Sequence, residues 1–198
     1  LAAIATAWLA FRQWSAGGGR RHRVLFWAAL GVGFLIKGPV PIGVVFSSLL
    51  VYRMLSRESF LRRLFGPEAL LALAIPAPWF IAVAMREPAL VDFYLGREVG
   101  GRVADGLGRA RPFWFFLVVA PIALLPWTGV VLARAAKVVK LERGRPSLDL
   151  FCVACLIGPL VLFSISRSKQ WTYILPLTIP AAILASRAWR AGPTRRGC

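Results

Sequence analysis

Lys169 and Tyr173 stand four residues apart in the string Ser166-Arg167-Ser168-Lys169-Gln170-Trp171-Thr172-Tyr173-Ile174-Leu175-Pro176. The string joins two apolar runs, so it lies where a membrane-spanning segment would meet lipid head groups. It offers two cations and a phenol, all hydrogen-bond donors suited to a phosphate oxygen. If a helix begins in this junction, the i, i+4 spacing places Lys169 and Tyr173 on one face.

Two further groups carry chemistry-bearing side chains. Lys37 interrupts a long apolar run, directly before Gly38-Pro39. A lysine there either faces a polar cavity or a partner, or snorkels from a turn into the head groups. The segment 86–111 holds Arg97, Glu98 and Arg102 among five Arg, four acids and several glycines. A short helix over 89–103 would set Glu98 and Arg102 at i, i+4, within pairing reach. Such a segment is either a mobile loop that closes over an anionic lipid substrate or a solvated interfacial helix.

The elements that must position these groups follow from composition. The 198 residues are 58% hydrophobic, with a mean hydropathy of +0.67. Apolar runs at 1–11, 24–52, 68–85, 113–133, 148–166 and 173–189 leave no room for a soluble domain. Runs of this kind span lipid as helices, because lipid offers no partner for free backbone groups. An all-α, polytopic transmembrane helix bundle forming one domain over 1–198 is therefore expected. The first run is too short to span and the chain opens on Leu1, so a longer parent protein is also expected.

The formal charge is +17, from 25 Lys and Arg against 8 Asp and Glu. These cations cluster between apolar runs, and no nucleic-acid motif accompanies them. Membrane lipids, not nucleic acid, are the expected partner. Segments 12–23, 53–67, 134–145 and 187–198 carry four, four, five and four basic residues against at most one acid each, and read as cytoplasmic. Segment 86–112, with half the chain's acids, and the junction 167–172 then fall outside.

This assignment decides the 24–52 run. Both of its flanks are basic, so a single crossing would place them on opposite sides. Two short helices, 24–36 and 40–52, turning at Lys37-Gly38-Pro39, keep both flanks inside. Each arm would be roughly 20 Å, short of a ~30 Å hydrocarbon core, giving a re-entrant or short hairpin with Lys37 at its tip. One tilted, proline-kinked span is the alternative. Lys37, the 86–111 loop and the Lys169/Tyr173 junction then share one side, an arrangement suited to a lipid-linked phosphate or diphosphate.

Other residues carry less. Cys152 and Cys155 sit at i, i+3 inside an apolar run without further ligands, and read as core residues. His22 lies among Arg20, Arg21 and Arg23 and reads as a head-group-facing side chain. Trp79, Trp114, Trp127 and Trp171 fall near span ends or kinks, as belt residues do. No Walker loop, GxGxxG, HExxH or GxSxG is present.

The order GFLIKGP (33–39), PWF (78–80), Glu98-x-x-x-Arg102, RPFWFF (111–116) with a later PW (126–127), and SRSKxxxYILP (166–176) resembles the polyprenyl-phosphate-dependent glycosyltransferases of the GT-C superfamily. Within that superfamily it is similar to the bacterial group related to the lipid A aminoarabinose transferases and the protein O-mannosyltransferases. The resemblance covers nearly the whole chain but only the middle of such an enzyme.

It implies a transferase in the bacterial inner membrane. Such an enzyme moves a sugar from a polyprenyl-phosphate donor to a lipid, glycan or protein acceptor of the envelope, with inversion, on the periplasmic face. By motif position, Lys169, Tyr173, Arg102 and Lys37 correspond to residues near the lipid phosphate, with Glu98 and Arg97 as a further loop site. In the aminoarabinose enzymes a His follows the loop Glu and helps bind a divalent metal; here that place is Val99, and no cofactor is assigned. The family's catalytic carboxylates lie N-terminal to the matched region, so no residue here is a general base and this chain alone is expected to be inactive. A non-enzymatic lipid transporter or flippase-like protein would share the basic outer pocket, and a purely structural subunit would leave Lys37, Arg102 and Lys169 apart.

Overall fold

A computed structural model describes residues 1–87, 111–166 and 169–191. Among the described residues every regular element is helical. In chain order they are α1 (Ala2–Ser15), α2 (Arg20–Lys37), α3 (Val40–Ser56) and α4 (Leu61–Leu64). A 3₁₀ turn over Pro67–Leu70 then leads into α5 (Leu71–Ala74) and α6 (Ala77–Arg86). After these come α7 (Phe115–Ala123), α8 (Thr128–Glu142) and α9 (Leu148–Ile165). A second 3₁₀ turn, Trp171–Ile174, feeds α10 (Leu175–Arg190).

The turn between α2 and α3 is built by three residues. Lys37 closes α2, where the carbonyl end of the helix favours a cation. Gly38 follows at φ 63° and donates its N–H to the Phe34 carbonyl at 2.7 Å, a left-handed stop that glycine adopts without a Cβ clash. Pro39 caps α3 and Pro41 lies in its first turn, where a missing N–H costs nothing. The chain then runs back along α2: Phe46 of α3 packs against Phe26 and Trp27 of α2, at 6.4 and 6.0 Å between ring centres.

The hairpin is thus two antiparallel helices and not one kinked span. Its arms are longer than expected, 18 and 17 residues, or about 27 and 25 Å. Helix propensity carries α2 back through Arg20–Arg23 and α3 on to Ser56, past the ends of the apolar runs.

The 113–133 run does not form one continuous helix. It breaks between α7 and α8, which meet at 113°. By length and composition Pro67–Arg86 and Leu148–Ile165 can each cross a membrane, and the bent α7–α8 pair is a third candidate.

The helices alternate in direction, so the chain's polar segments sort to two ends. At one end Arg12 reaches the Tyr52 hydroxyl at 3.3 Å, Arg20 and Arg23 hold Glu68 at 2.7 and 3.1 Å, and the Gly144 N–H meets the Leu55 carbonyl at 2.8 Å. Arg134 pairs with Asp149 at 3.0 Å there, and Arg187 lies against the other carboxylate oxygen as a charge contact. Members of the four basic segments, 12–23, 53–67, 134–145 and 187–198, therefore share this basic end. Lys37, Phe115 and Tyr173 lie at the opposite end.

The core runs between the ends. Near the basic end, Phe11 is buried among Phe60, Phe151 and Tyr52 at 4.9, 5.5 and 6.1 Å. Halfway along, α3 and α9 press backbone to backbone at Gly158: a Cβ there would come within 2.5 Å of the Ser48 nitrogen and 2.6 Å of the Ser47 carbonyl. Cys152 and Cys155 are buried, unpaired members of this core. His22 is half-buried, with its Nδ1 packed against the Gly18 turn.

Candidate lipid-phosphate site

Tyr173 is fixed by aromatic packing. Its ring stacks on Phe163 of α9 at 4.6 Å and lies 6.4 Å from Phe116 of α7, each with an interplanar angle of 25°. Three elements therefore hold one phenol. The ring is buried, and the 3₁₀ turn that carries it is short because Pro176 stands in the first turn of α10.

The Lys37 ammonium lies 5.8 Å from the centre of the Tyr173 ring. A cation–π contact at an exposed site is worth only about 0.5–1 kcal/mol. Lys37 is itself exposed, so this weak hold leaves it free to take a stronger anionic partner. Both residues line a cavity of about 190 Å³, whose other walls include Ala3, Gly33, Pro41 and Phe163. The cavity is mainly apolar with a cation and a phenol on its wall, the chemistry of a site for a phosphate carried on a hydrocarbon chain.

Lys169 is placed differently from expectation. Residues 169 and 170 are non-helical, the 3₁₀ turn begins at Trp171, and the α-helix begins only at Leu175. Lys169 and Tyr173 thus do not share a helix face. Lys169 is buried and donates to the carbonyl of Ser166, one of the acceptors left open where α9 ends. Burial holds its pKa below the usual lysine value. It does not line the cavity.

Arg97, Glu98, Val99 and Arg102 lie outside the described residues. The residues that flank their segment lie toward the Lys37 end. Phe80 of α6 packs on Phe34 at 5.6 Å, and Phe115, at the start of α7, lies 5.5 Å from Trp171. Arg111 sits 6.0 Å over the Phe115 ring. The described residues on both sides of that segment thus lie toward the end that carries Tyr173. Among the described residues no group of three or more His, Cys, Asp or Glu side chains could hold a metal ion. Thr172 and Phe163, which also line the cavity, carry no sequence signal that would have singled them out.

The bundle has relatives among known proteins. The chain is 34% identical over 185 residues to the undecaprenyl phosphate-alpha-4-amino-4-deoxy-L-arabinose arabinosyl transferase of Aeromonas hydrophila, covering 92% of this chain and 34% of that protein. It is 35% identical over 179 residues to the transferase of the same name from Pseudomonas aeruginosa, covering 86% and 32%. The crystal structure of ArnT from Cupriavidus metallidurans bound to undecaprenyl phosphate superposes with a TM-score of 0.75 at 34% identity, covering 89% of this chain and 32% of that one. The chain is a homologue of the aminoarabinose transferases. It spans about a third of the length of the curated relatives it matches. No family model matches it. The all-α membrane bundle read from the sequence is the fold that it shares with these transferases, and it is an integral membrane protein.

Proposed function

We propose that the chain forms the donor-phosphate-binding part of an integral-membrane glycosyltransferase that uses a polyprenyl-phosphate sugar. The observation that carries this reading is the meeting of Lys37 and Tyr173 on the wall of an apolar cavity at one end of the bundle. The solved neighbour's bound undecaprenyl phosphate supports it. In this reading the Lys37 end is periplasmic, the basic end is cytoplasmic, and the membrane is the bacterial inner membrane.

The chemistry follows from charge. A nucleophilic oxygen or nitrogen of the envelope acceptor attacks the anomeric carbon from the face opposite the phosphate. The bond from that carbon to the phosphate oxygen breaks, and the configuration inverts. The donor phosphodiester carries one negative charge, whereas the departing lipid phosphate monoester carries a second as it forms. Donors fixed at that oxygen are therefore stronger in the transition state than in the ground state. Lys37 supplies an ammonium and Tyr173 a hydroxyl. Lys169, buried outside the cavity and bonded to the Ser166 carbonyl, adds positive charge at longer range, and Arg102 of the loop is assigned a further contact, with Arg97 and Glu98 on the same segment. The acceptor proton passes to a general base that is assigned to no described residue of this chain.

The test is acceptor-dependent release of undecaprenyl phosphate from an undecaprenyl-phosphate sugar by the full-length protein in lipid. Release coupled to acceptor glycosylation is expected. Movement of the intact donor between leaflets with its sugar bond unbroken would instead make the protein a lipid transporter.

A further inference from the structure

The basic end holds a second cavity, larger than the first and of opposite character. Its volume is about 460 Å³, and its walls include Trp14, Arg23, Glu58, Phe60, Arg62 and Arg63. Local structure explains its shape. The chain leaves α3 through Arg57 at φ 60°, passes the buried Phe60 and makes the single turn of α4, which carries Arg62 and Arg63. Trp27 fixes the exit of that turn by donating its indole N–H to the Leu64 carbonyl at 3.1 Å. Arg23 fixes it again by donating to the Arg63 carbonyl at 3.1 Å.

The walls thus carry three arginines, Arg23, Arg62 and Arg63, against one carboxylate, that of Glu58. The carboxylate behind Arg23, Glu68, is already shared with Arg20. The Nε of Arg23 is buried without a hydrogen-bond partner. Arg62 and Arg63 are exposed, and among the described residues neither side chain has a partner. The open cations of the cavity are therefore Arg62 and Arg63, set beside Phe60 and Trp14. Planar guanidinium forks match phosphate oxygens in pairs, and an aromatic edge suits the junction of head group and acyl chain.

We infer that this cavity binds the phosphate of an anionic phospholipid, at the end of the bundle opposite the Lys37–Tyr173 site. The lipid phosphate sits on Arg62 and Arg63, whose turn Arg23 holds from behind, and its glycerol backbone lies along the Trp14 edge. The inference does not depend on the donor-site reading. A phosphate group could also come from solution, and the two sources differ in whether an acyl chain is needed.

The experiment titrates full-length protein in neutral detergent micelles with dioleoylphosphatidylglycerol. Dioleoylphosphatidylcholine and inorganic phosphate serve as comparators. Readouts are tryptophan fluorescence and the number of lipids retained in native mass spectra. Saturable phosphatidylglycerol binding is expected, with the midpoint raised at least tenfold in R62Q/R63Q. The charge-matched control K137Q/K140Q, exposed on α8 and outside the cavity, should bind as wild type. Equal binding of phosphatidylcholine and phosphatidylglycerol would overturn the proposal. So would unchanged phosphatidylglycerol binding in R62Q/R63Q. Displacement of phosphatidylglycerol by inorganic phosphate at matched concentration would overturn the lipid assignment in favour of a soluble phosphate.

Discussion

Lys37, at the last turn of α2, and Tyr173, in the turn before α10, meet with the ammonium 5.8 Å from the ring centre. The two belong to strings far apart in the chain, and their contact depends on how α2, α3 and α9 are held. Gly158 is the tightest point of that assembly. A methyl at residue 158 would press on the backbone of Ser47 and Ser48, which cannot rotate away as a side chain could. Gly158→Ala should lower stability by about 1–3 kcal/mol through overpacking. Thermal unfolding of the purified protein checks it; an unchanged midpoint would show that α3 and α9 are less closely pressed than described.

Asp149 ties three helices at the basic end. Its carboxylate is buried in the first turn of α9, beside the N-capping Ser147, and is met by Arg134 from α8 and Arg187 from α10. Asp149→Ala leaves two guanidinium groups facing each other and should cost on the order of 3 kcal/mol. Arg187 is nearly half exposed, and Arg187→Gln should cost about 1 kcal/mol or less. Denaturation of both variants tests the order; equal losses would contradict it.

Lys169 gives a pH-dependent prediction. Its folded pKa lies below the usual 10.5, because burial disfavours the ammonium. Between that lowered value and 10.5 the unfolded chain binds more protons than the folded one, so this residue makes stability rise with pH. Lys169→Met removes that slope and should stabilise the unliganded protein at neutral pH, while weakening donor binding. Melting temperatures from about pH 7 to pH 10, with and without undecaprenyl phosphate, separate the two effects. A destabilised unliganded variant would show that the bond to the Ser166 carbonyl outweighs the cost of burying the charge.

What the sequence disclosed follows from which signals are local. The turn at Lys37-Gly38-Pro39 was legible because a positive-φ glycine, two prolines and two basic flanks all act at one point. The grouping of polar segments at two ends was legible because lysine and arginine counts between apolar runs alternate. Chain-local reasoning did not place the helix start after Lys169. A shared face for Lys169 and Tyr173 presumed a helix from the junction onward, whereas Pro176 in the first turn of α10 and a 3₁₀ turn delay it to Leu175. A kink near Trp127 was legible, but the 113° break between α7 and α8 was not, since apolar content persists through Pro126-Trp127. Phe163 and Phe116 belong to the site only through packing between distant helices, which no spacing announces.

Tyr173→Phe keeps the ring stacked between Phe163 and Phe116 and removes only the hydroxyl. Its fold should therefore be intact, with the same melting temperature as wild type. Loss of one hydrogen bond to a charged group is worth about 1.5–3 kcal/mol, so donor turnover should fall roughly tenfold to a hundredfold. An unchanged turnover would remove Tyr173 from the site.

One equilibrium tests the Lys37–Tyr173 site most directly, binding of undecaprenyl phosphate to the full-length protein in lipid nanodiscs. Lys37→Gln should raise the dissociation constant at least tenfold, a loss of about 1.4 kcal/mol, with the unliganded protein destabilised by no more than the ~0.5–1 kcal/mol of the cation–π contact. A Lys37→Gln protein that binds undecaprenyl phosphate as tightly as wild type would contradict the assignment of the Lys37–Tyr173 cavity as the lipid-phosphate site.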